Sequence, residues 1–557
     1  MIDGVPDLQR WHRVLLAIGS GVMLGLSFPP FHLGFLAAFG LVPLLLALQG
    51  LSGIRVPLRY VYLAMVVFHA ITINWTGGYA HGNDPYMMIA GAVTILLHPF
   101  FYYLPMGVYL FVRRHFGELR ALFFLPFLWV GYEYSHSLSE WSFPWLTLGN
   151  SQTYDLPRIQ FIHWTGVWGL SFWLLVLNVL VFFVAFRVVK DIRSTWRSST
   201  RWLAAATVVV ALAPSVYGLI VLSGAGTGDV APDDPRGVTI GMIQSNVDPW
   251  DKWKANGFET HALYMELTKR LIDSVGSARP DIVLWPETAA PLDVLGAQNA
   301  PVLASIKDHL GMWHTSLLTG LPHKTVYTDS SRAPRSARRE KITGTRYDWY
   351  NAAAFIESGP AVPQWYGKMK MVPFAERVPY ADAFQFFDFL RWDVGIGGWQ
   401  IGPDTTIFQE SRTGARFSTI ICYESTYPGF VAAFVRRGAE FLTLITIDSW
   451  WDHMSGAYQH QEIAVLRAVE NRRWIARCAV GGISCFIDPY GRAHGTTELF
   501  TQRLLNGRIS RNTDLTFYTQ HGDVLGESCL WLSVVVLAAA LGQSFLSRRR
   551  SLAWQQQ

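Results

Sequence analysis

The sequence predicts a multi-pass α-helical membrane domain of about eight spans joined to an α/β domain outside the membrane. Three observations predict it. Half of the 557 residues are hydrophobic and 16% are charged, the balance of a membrane chain. Seven apolar stretches precede residue 225 and one more follows residue 526. Between them, β-type runs alternate with helical patterns, as in sheets covered by helices.

The apolar stretches cover about 13–29, 33–51, 59–76, 86–112, 120–136, 163–186, 202–223 and 528–546. Most approach the roughly 20 residues that cross a bilayer. More spans follow the first directly, so it is not read as a signal peptide. The third and fifth are the weakest, with Asn74, Glu133 and His136 near their ends. Positive charge then orients the chain. Arg10 and Arg13 precede the first span, Arg55 and Arg59 follow the second, and Arg113, Arg114 and Arg120 follow the fourth. Arg187, Lys190, Arg193, Arg197 and Arg201 follow the sixth, and Arg548, Arg549 and Arg550 the last. The alternate loops, 29–32, 77–84 and 137–163, hold only Arg158. Both termini are therefore expected in the cytoplasm. This gives a transmembrane domain over 1–225, an outer domain over 226–526 on the periplasmic side of an inner membrane, and an eighth span with a cytoplasmic tail over 527–557. The outward loop Glu140-Trp-Ser-Phe-Pro-Trp-Leu-Thr-Leu-Gly-Asn-Ser-Gln152 mixes aromatics with polar groups. It either anchors helix ends at the interface or lines a lipid-facing site.

A polar Pro/Asp linker, 227–236, opens the outer domain. Val238–Gln244, Ile282–Trp285, Leu317–Leu321, Ala352–Ile356, Phe417–Cys422, Phe441–Ile447 and Gly482–Ile487 read as strands. His261–Val275 and His460–Ile475 read as amphipathic helices. Tyr327–Arg346, rich in Ser, Arg and Lys, reads as a solvated surface loop.

Several function classes are disfavoured. The +5 net charge is too small and scattered for nucleic-acid binding. Four cysteines cannot be a disulfide framework for so long a chain. Cys478, Cys485 and Cys529 read as packing residues. His453 and His460 lack the carboxylate or cysteine spacing that completes a metal site, and no cofactor is expected. Few ion pairs inside the spans argue against a transporter. Nothing demands more than a monomer.

The fourth cysteine is placed like a nucleophile. Cys422 ends the β-branched run Phe417-Ser-Thr-Ile-Ile-Cys-Tyr-Glu-Ser425. A free thiol has a pKa of roughly 8.5 and needs a cation or base beside it. Lys368, within Tyr366-Gly-Lys-Met-Lys-Met-Val-Pro-Phe-Ala-Glu376, is the candidate cation and oxyanion donor, joined by the backbone N–H of Tyr423. Glu287, in Trp285-Pro-Glu287, is the candidate general base.

The order and contexts of Glu287, Lys368 and Cys422 resemble the Glu-Lys-Cys set of the carbon–nitrogen hydrolase (nitrilase) superfamily. The spans narrow the resemblance to its membrane-embedded apolipoprotein N-acyltransferase family. Its marks are Gly241-Met-Ile-Gln-Ser-Asn246 with Lys252-Trp253, Lys368 through Glu376, Cys422-Tyr-Glu424, Ile447-Asp-Ser-Trp450, His460 through Arg473, and Phe143 through Gln152. The resemblance implies a nitrilase-like αββα sandwich. It implies a Cys422 thioester that carries an acyl chain from a phospholipid, typically phosphatidylethanolamine, to the N-terminal amine of a diacylglyceryl-cysteine in an apolipoprotein. Glu376 and Glu424 match acidic residues around that site, and Trp253 and Tyr423 match functional positions. Trp250–Trp253 and Ser449–Trp451, with Trp450, are candidate lids. One departure is Arg477-Cys-Ala-Val-Gly-Gly-Ile-Ser484, where the family often has Thr-Asn-x-Gly. The alternative is a membrane-anchored amidase or nitrilase that hydrolyses a small amide.

Overall fold

The computed structural model describes residues 8–78, 85–190, 193, 197–253, 257–329, 331, 333–380 and 398–555. Among them, four helices are long and apolar enough to cross a membrane: Met87–Phe116, Val167–Lys190, Ser198–Ser223 and Val524–Arg549. The expectation of about eight spans is met only in part. Helices Arg10–Leu26, Arg55–Thr72 and Glu118–Ser137 join the bundle but are shorter or carry charges such as Arg55, Arg59, Glu118 and Glu133. The stretch 33–51 does not form one helix. It breaks into a 3₁₀ turn, Gly34–Ala38, and a short helix, Val42–Ala47, whose first turn holds Pro43. The backbone freed by the break is recovered by Asn178, which accepts from Leu41 N at 2.8 Å and donates to Ala37 O at 2.7 Å. Helix Ser198–Ser223 leaves Trp202, Val209, Leu212 and Ile220 exposed, an apolar surface suited to lipid. Of the loop 77–84, residues 79–84 lie outside the described residues.

Two mixed sheets form the outer domain. In the first, strands run in the order Arg503–Ser510, Gly237–Gln244, Ile282–Leu284, Ser316–Tyr327, Arg346–Ile356 and Arg338–Arg339, with Gln364–Gly367 also paired to Arg346–Ile356. In the second the order is Ala493–His494, Cys485–Ile487, Ile475–Ala479, Phe441–Thr446, Arg416–Ile421 and Phe408–Gln409. The central pairs of each sheet are parallel. Parallel neighbours need crossovers, supplied by helices Gly257–Val275, Ala300–Trp313, Pro428–Arg436 and Ser455–Asn471. Strand alternation then builds the layers. Ile282 and Leu284 share a core with Phe417, Leu442 and Ile445 of the second sheet, whereas Val283 packs with Tyr264, Leu267, Ile306 and Leu310 of the helices. The result is the expected sandwich of helices, two sheets and helices.

Several boundaries differ from the sequence reading, most of all around the helix after Met454. Helix Ser455–Asn471 stops four residues before Ile475, because Arg472 takes a left-handed conformation (φ 49°) and donates its N–H to Ala468 O. A strand, Ile475–Ala479, follows at once. Strand character in 482–487 is confined to Cys485–Ile487. That helix is also not amphipathic in its setting. It lies between the second sheet and the membrane helices, so its polar residues Gln459, His460, Arg467, Glu470 and Asn471 are all buried.

Candidate active site

The three residues singled out by the sequence meet at the carboxyl ends of strands, where α/β sheets commonly hold ligands. Cys422 follows Arg416–Ile421, Glu287 follows Ile282–Leu284, and Lys368 follows Gln364–Gly367. Cys422 turns the chain sharply into a 3₁₀ helix, with φ at 52°, an uncommon value for a residue with a side chain. Glu424 braces this elbow. Fully buried, it accepts from Ile421 N (2.8 Å), Met369 N (2.7 Å), Lys370 N (3.2 Å) and Tyr366 Oη (2.6 Å). It ties the cysteine turn to the lysine loop.

Lys368 is 1% exposed and sits between two carboxyl groups, 2.7 Å from Glu376 Oε1 and 3.4 Å from Glu287 Oε1. Asn351 Nδ2 donates to the same two oxygens, at 2.7 Å to Glu287 and 3.2 Å to Glu376. Ile447 N donates to Glu287 Oε2 at 3.2 Å, and Val372 N to Glu376 Oε2 at 2.8 Å. Burial opposes the charge on Lys368, but Glu287 and Glu376 outweigh it and hold the ammonium above its usual range. The thiol moves the same way. Burial pushes it up first and Glu287 and Glu376 push further, against the pull of Lys368 and the nearby Thr446 hydroxyl. Lys368 alone therefore does not make a preformed thiolate. Burial raises Glu424 to about 7, against its hydrogen bonds from Tyr366, Ile421 and Met369 and the charge of Lys368.

Of the other predicted residues, Tyr423 reaches the membrane domain. Its Oη donates to Ser142 O at 2.9 Å, and its ring stacks towards Phe143 and Trp145 at 6.2 and 6.5 Å. Residues 144–153 of the outward loop are buried, Trp145 against Tyr423, Trp451 and His460 of the outer domain and 148–152 chiefly against helix Val167–Lys190 and the turn Gly34–Ala38. Trp450 meets Trp250 edge-on at 4.9 Å, and Trp253 stands 6.4 Å from Trp399. The two candidate lid segments touch each other through the Trp250–Trp450 pair.

Sequence reasoning missed Asn351 and Gly320, and named Lys252 only as a mark of the resemblance, without a role. Lys252, 1% exposed, donates its ammonium to both O and Oγ1 of Thr288 at 2.8 Å, and burial brings it down to about 7 against the pull of Glu287. Thr288 has φ 40°, so this lysine pins a strained peptide next to Glu287. Gly320 faces the same peptide: a Cβ there would stand 2.5 Å from Thr288 N. The Lys252-Trp253 pair was a signal; Asn351 and Gly320 lie in ordinary strand contexts. Among the described residues no group of His, Cys, Asp and Glu is arranged to hold a metal.

Residues 239–513 match the carbon–nitrogen hydrolase family, which sets the class of the outer domain. Residues 20–180 match the apolipoprotein N-acyltransferase N-terminal domain. The apolipoprotein N-acyltransferase of Chlorobaculum tepidum is 35% identical over 537 residues, 94% of this chain and 96% of that one. That of Geobacter metallireducens is 31% identical over 558 residues, 98% of each. Among solved structures, an amidase from Nesterenkonia sp. is 16% identical, covers 52% of this chain and 94% of its own, and has a TM-score of 0.34. The chain belongs to the apolipoprotein N-acyltransferase family.

Proposed function

We propose that this chain is the enzyme that completes lipoprotein acylation, moving an acyl chain from a membrane phospholipid, with phosphatidylethanolamine as the natural donor, to the α-amine of a diacylated apolipoprotein. The observation that carries the reading is Lys368, buried between Glu287 and Glu376 beside the Cys422 thiol, in a domain joined to membrane helices.

In the first half-reaction Glu287 takes the thiol proton as sulfur attacks the ester carbonyl carbon. Concerted transfer fits a thiol that its surroundings keep protonated. Lys368 and the backbone N–H of Tyr423 receive the oxyanion. On collapse the ester C–O bond breaks, and Glu287 returns the proton to the departing glycerol oxygen, leaving a thioester and a lysophospholipid. In the second, the α-amine of the diacylglyceryl-cysteine attacks the thioester and Glu287 takes a proton from nitrogen. The C–S bond then breaks, and sulfur recovers its proton. Glu376 holds Lys368 in place through both, and Glu424 supports the elbow rather than the amine.

The membrane setting fits these substrates, since burying each CH₂ is worth roughly 0.8 kcal/mol and neither lipid leaves the bilayer cheaply. In this reading the chain crosses the membrane eight times with both termini in the cytoplasm, divides near residues 225 and 526, and acts as a monomer whose outer domain faces the periplasm. Trp250–Trp253 and Trp450 act as the lid that keeps water from the thioester. The test is a transfer assay with acyl-labelled phosphatidylethanolamine and a diacylated lipopeptide. The label should reach the lipopeptide amine, and Cys422→Ala should abolish transfer. Release of label to water as free fatty acid would instead mean hydrolysis.

A further inference from the structure

Behind the elbow lies a buried chain of polar groups that the acyl-transfer scheme leaves unused. His460, Asp448 and Arg477 are each fully buried. Arg477 Nη2 donates to Asp448 Oδ2 at 2.7 Å, and Arg477 Nη1 donates to Ile483 O. Thr446 Oγ1 donates to Asp448 Oδ1 at 2.9 Å. Burial alone would push Asp448 up, but Arg477 and His460 outweigh it and hold the carboxyl below its usual range. His460 Nδ1 lies 2.8 Å from Asp448 Oδ1 and 3.1 Å from Arg477 Nη2. On the other side of the ring, Nε2 donates to the carbonyl oxygen of Cys422 at 3.1 Å and lies 3.0 Å from Ser425 Oγ.

That carbonyl belongs to the peptide whose N–H is that of Tyr423. A trans peptide is planar, with its C=O and N–H pointing opposite ways. Gripping the oxygen from behind therefore aims the N–H forward, to the side on which the sulfur reacts. The strained φ of Cys422 makes such a grip necessary. We propose that His460, oriented by Asp448 and Arg477, is a positioning residue that holds the Tyr423 N–H in line as an oxyanion donor. The inference rests on the reading that Cys422 is acylated through a tetrahedral intermediate.

Two reactions at the same sulfur separate this role from general support. Alkylation by iodoacetamide forms an S–C bond and expels iodide with no oxyanion; acylation by phospholipid passes through one. Both are followed by intact mass in the full-length protein, for wild type, His460→Ala and His460→Gln. Losing one oxyanion donor costs about 10²–10³-fold. His460→Ala should be acylated about 100-fold more slowly yet alkylated within about threefold of the wild-type rate. His460→Gln, whose amide can donate to the same carbonyl, should recover acylation to within about tenfold. Parallel loss of both reactions in both variants, or no loss of acylation, would overturn the proposal. A wild-type protein that is alkylated but never acylated would instead overturn the underlying acyl-transfer reading.

Discussion

Lys368 serves two carboxyl groups with one charge, and this asymmetry governs the behaviour of the residues around it. Removing one partner of a buried pair leaves the other uncompensated, at about 3–5 kcal/mol. Lys368→Met should therefore lower unfolding stability by about that amount and, through loss of an oxyanion donor, slow acylation by at least about 10²-fold. Chemical denaturation and single-turnover acylation check the two effects separately. Glu424 gives a pH-dependent prediction. Its folded value of about 7 lies above the ordinary glutamate value of 4.5, so between these the folded protein binds more protons than the unfolded chain. Its contribution to stability is complete below pH 4.5 and is lost as pH rises towards 7. Glu424→Gln does not ionise, so wild type should lose up to about 3 kcal/mol relative to this variant across that window. Denaturation curves of the two proteins at pH 5 and pH 8 measure it; a gap that stays constant with pH would contradict the assignment.

Helix Ser455–Asn471 is one of the elements through which the two domains meet. Gln459 satisfies its whole amide there. Its Nε2 donates to Pro29 O (2.8 Å) and Thr72 O (2.9 Å), and its Oε1 accepts from Trp75 Nε1 (3.0 Å) and Trp145 Nε1 (2.7 Å). The next residue, His460, grips the nucleophile's own peptide. Each buried polar group left unsatisfied costs about 1–3 kcal/mol. Gln459→Leu should accordingly lower the thermal midpoint by several degrees and reduce acyl transfer, read by melting in detergent and by the transfer assay. This element also marks how far the sequence could be read. Cys422 and Glu287 were legible because each ends a short β-type run, and Lys368 because it follows a Gly and precedes an apolar run. His460–Ile475 read as an amphipathic helix with a polar face, because nothing local announces that a membrane bundle covers it. The end of the helix was hidden for a related reason: its left-handed residue is Arg472, not the usual Gly or Asn. Asn351 and Gly320 gain their importance only from register, which places Gly320 opposite Ala353 and Asn351 opposite Pro322 across two antiparallel strands.

At the scale of the whole molecule, an apolar bundle is joined to a charged α/β domain, and the proposed outward orientation of that domain rests on the Lys/Arg distribution of the loops. The stretch 33–51 does not form one helix: Gly40 and Pro43 interrupt it, and Asn178 pairs the backbone groups that the interruption frees. Hydropathy alone does not register such compensation. Orientation is testable at Ile342, 93% exposed on the loop between Tyr327 and Arg346. Ile342→Cys in a Cys422→Ser background should react with a membrane-impermeant maleimide in intact spheroplasts. Labelling only after permeabilisation would place the domain on the wrong side. The most direct test of the central claim is the mass of the protein itself. After incubation with phosphatidylethanolamine alone, Cys422 should carry one acyl chain as a hydroxylamine-labile adduct that persists in water. That adduct should vanish on addition of a diacylated lipopeptide as the lipopeptide gains the same mass. A protein that transfers acyl chains with Cys422 unmodified at every time point, or whose adduct lies on another residue, would contradict the account.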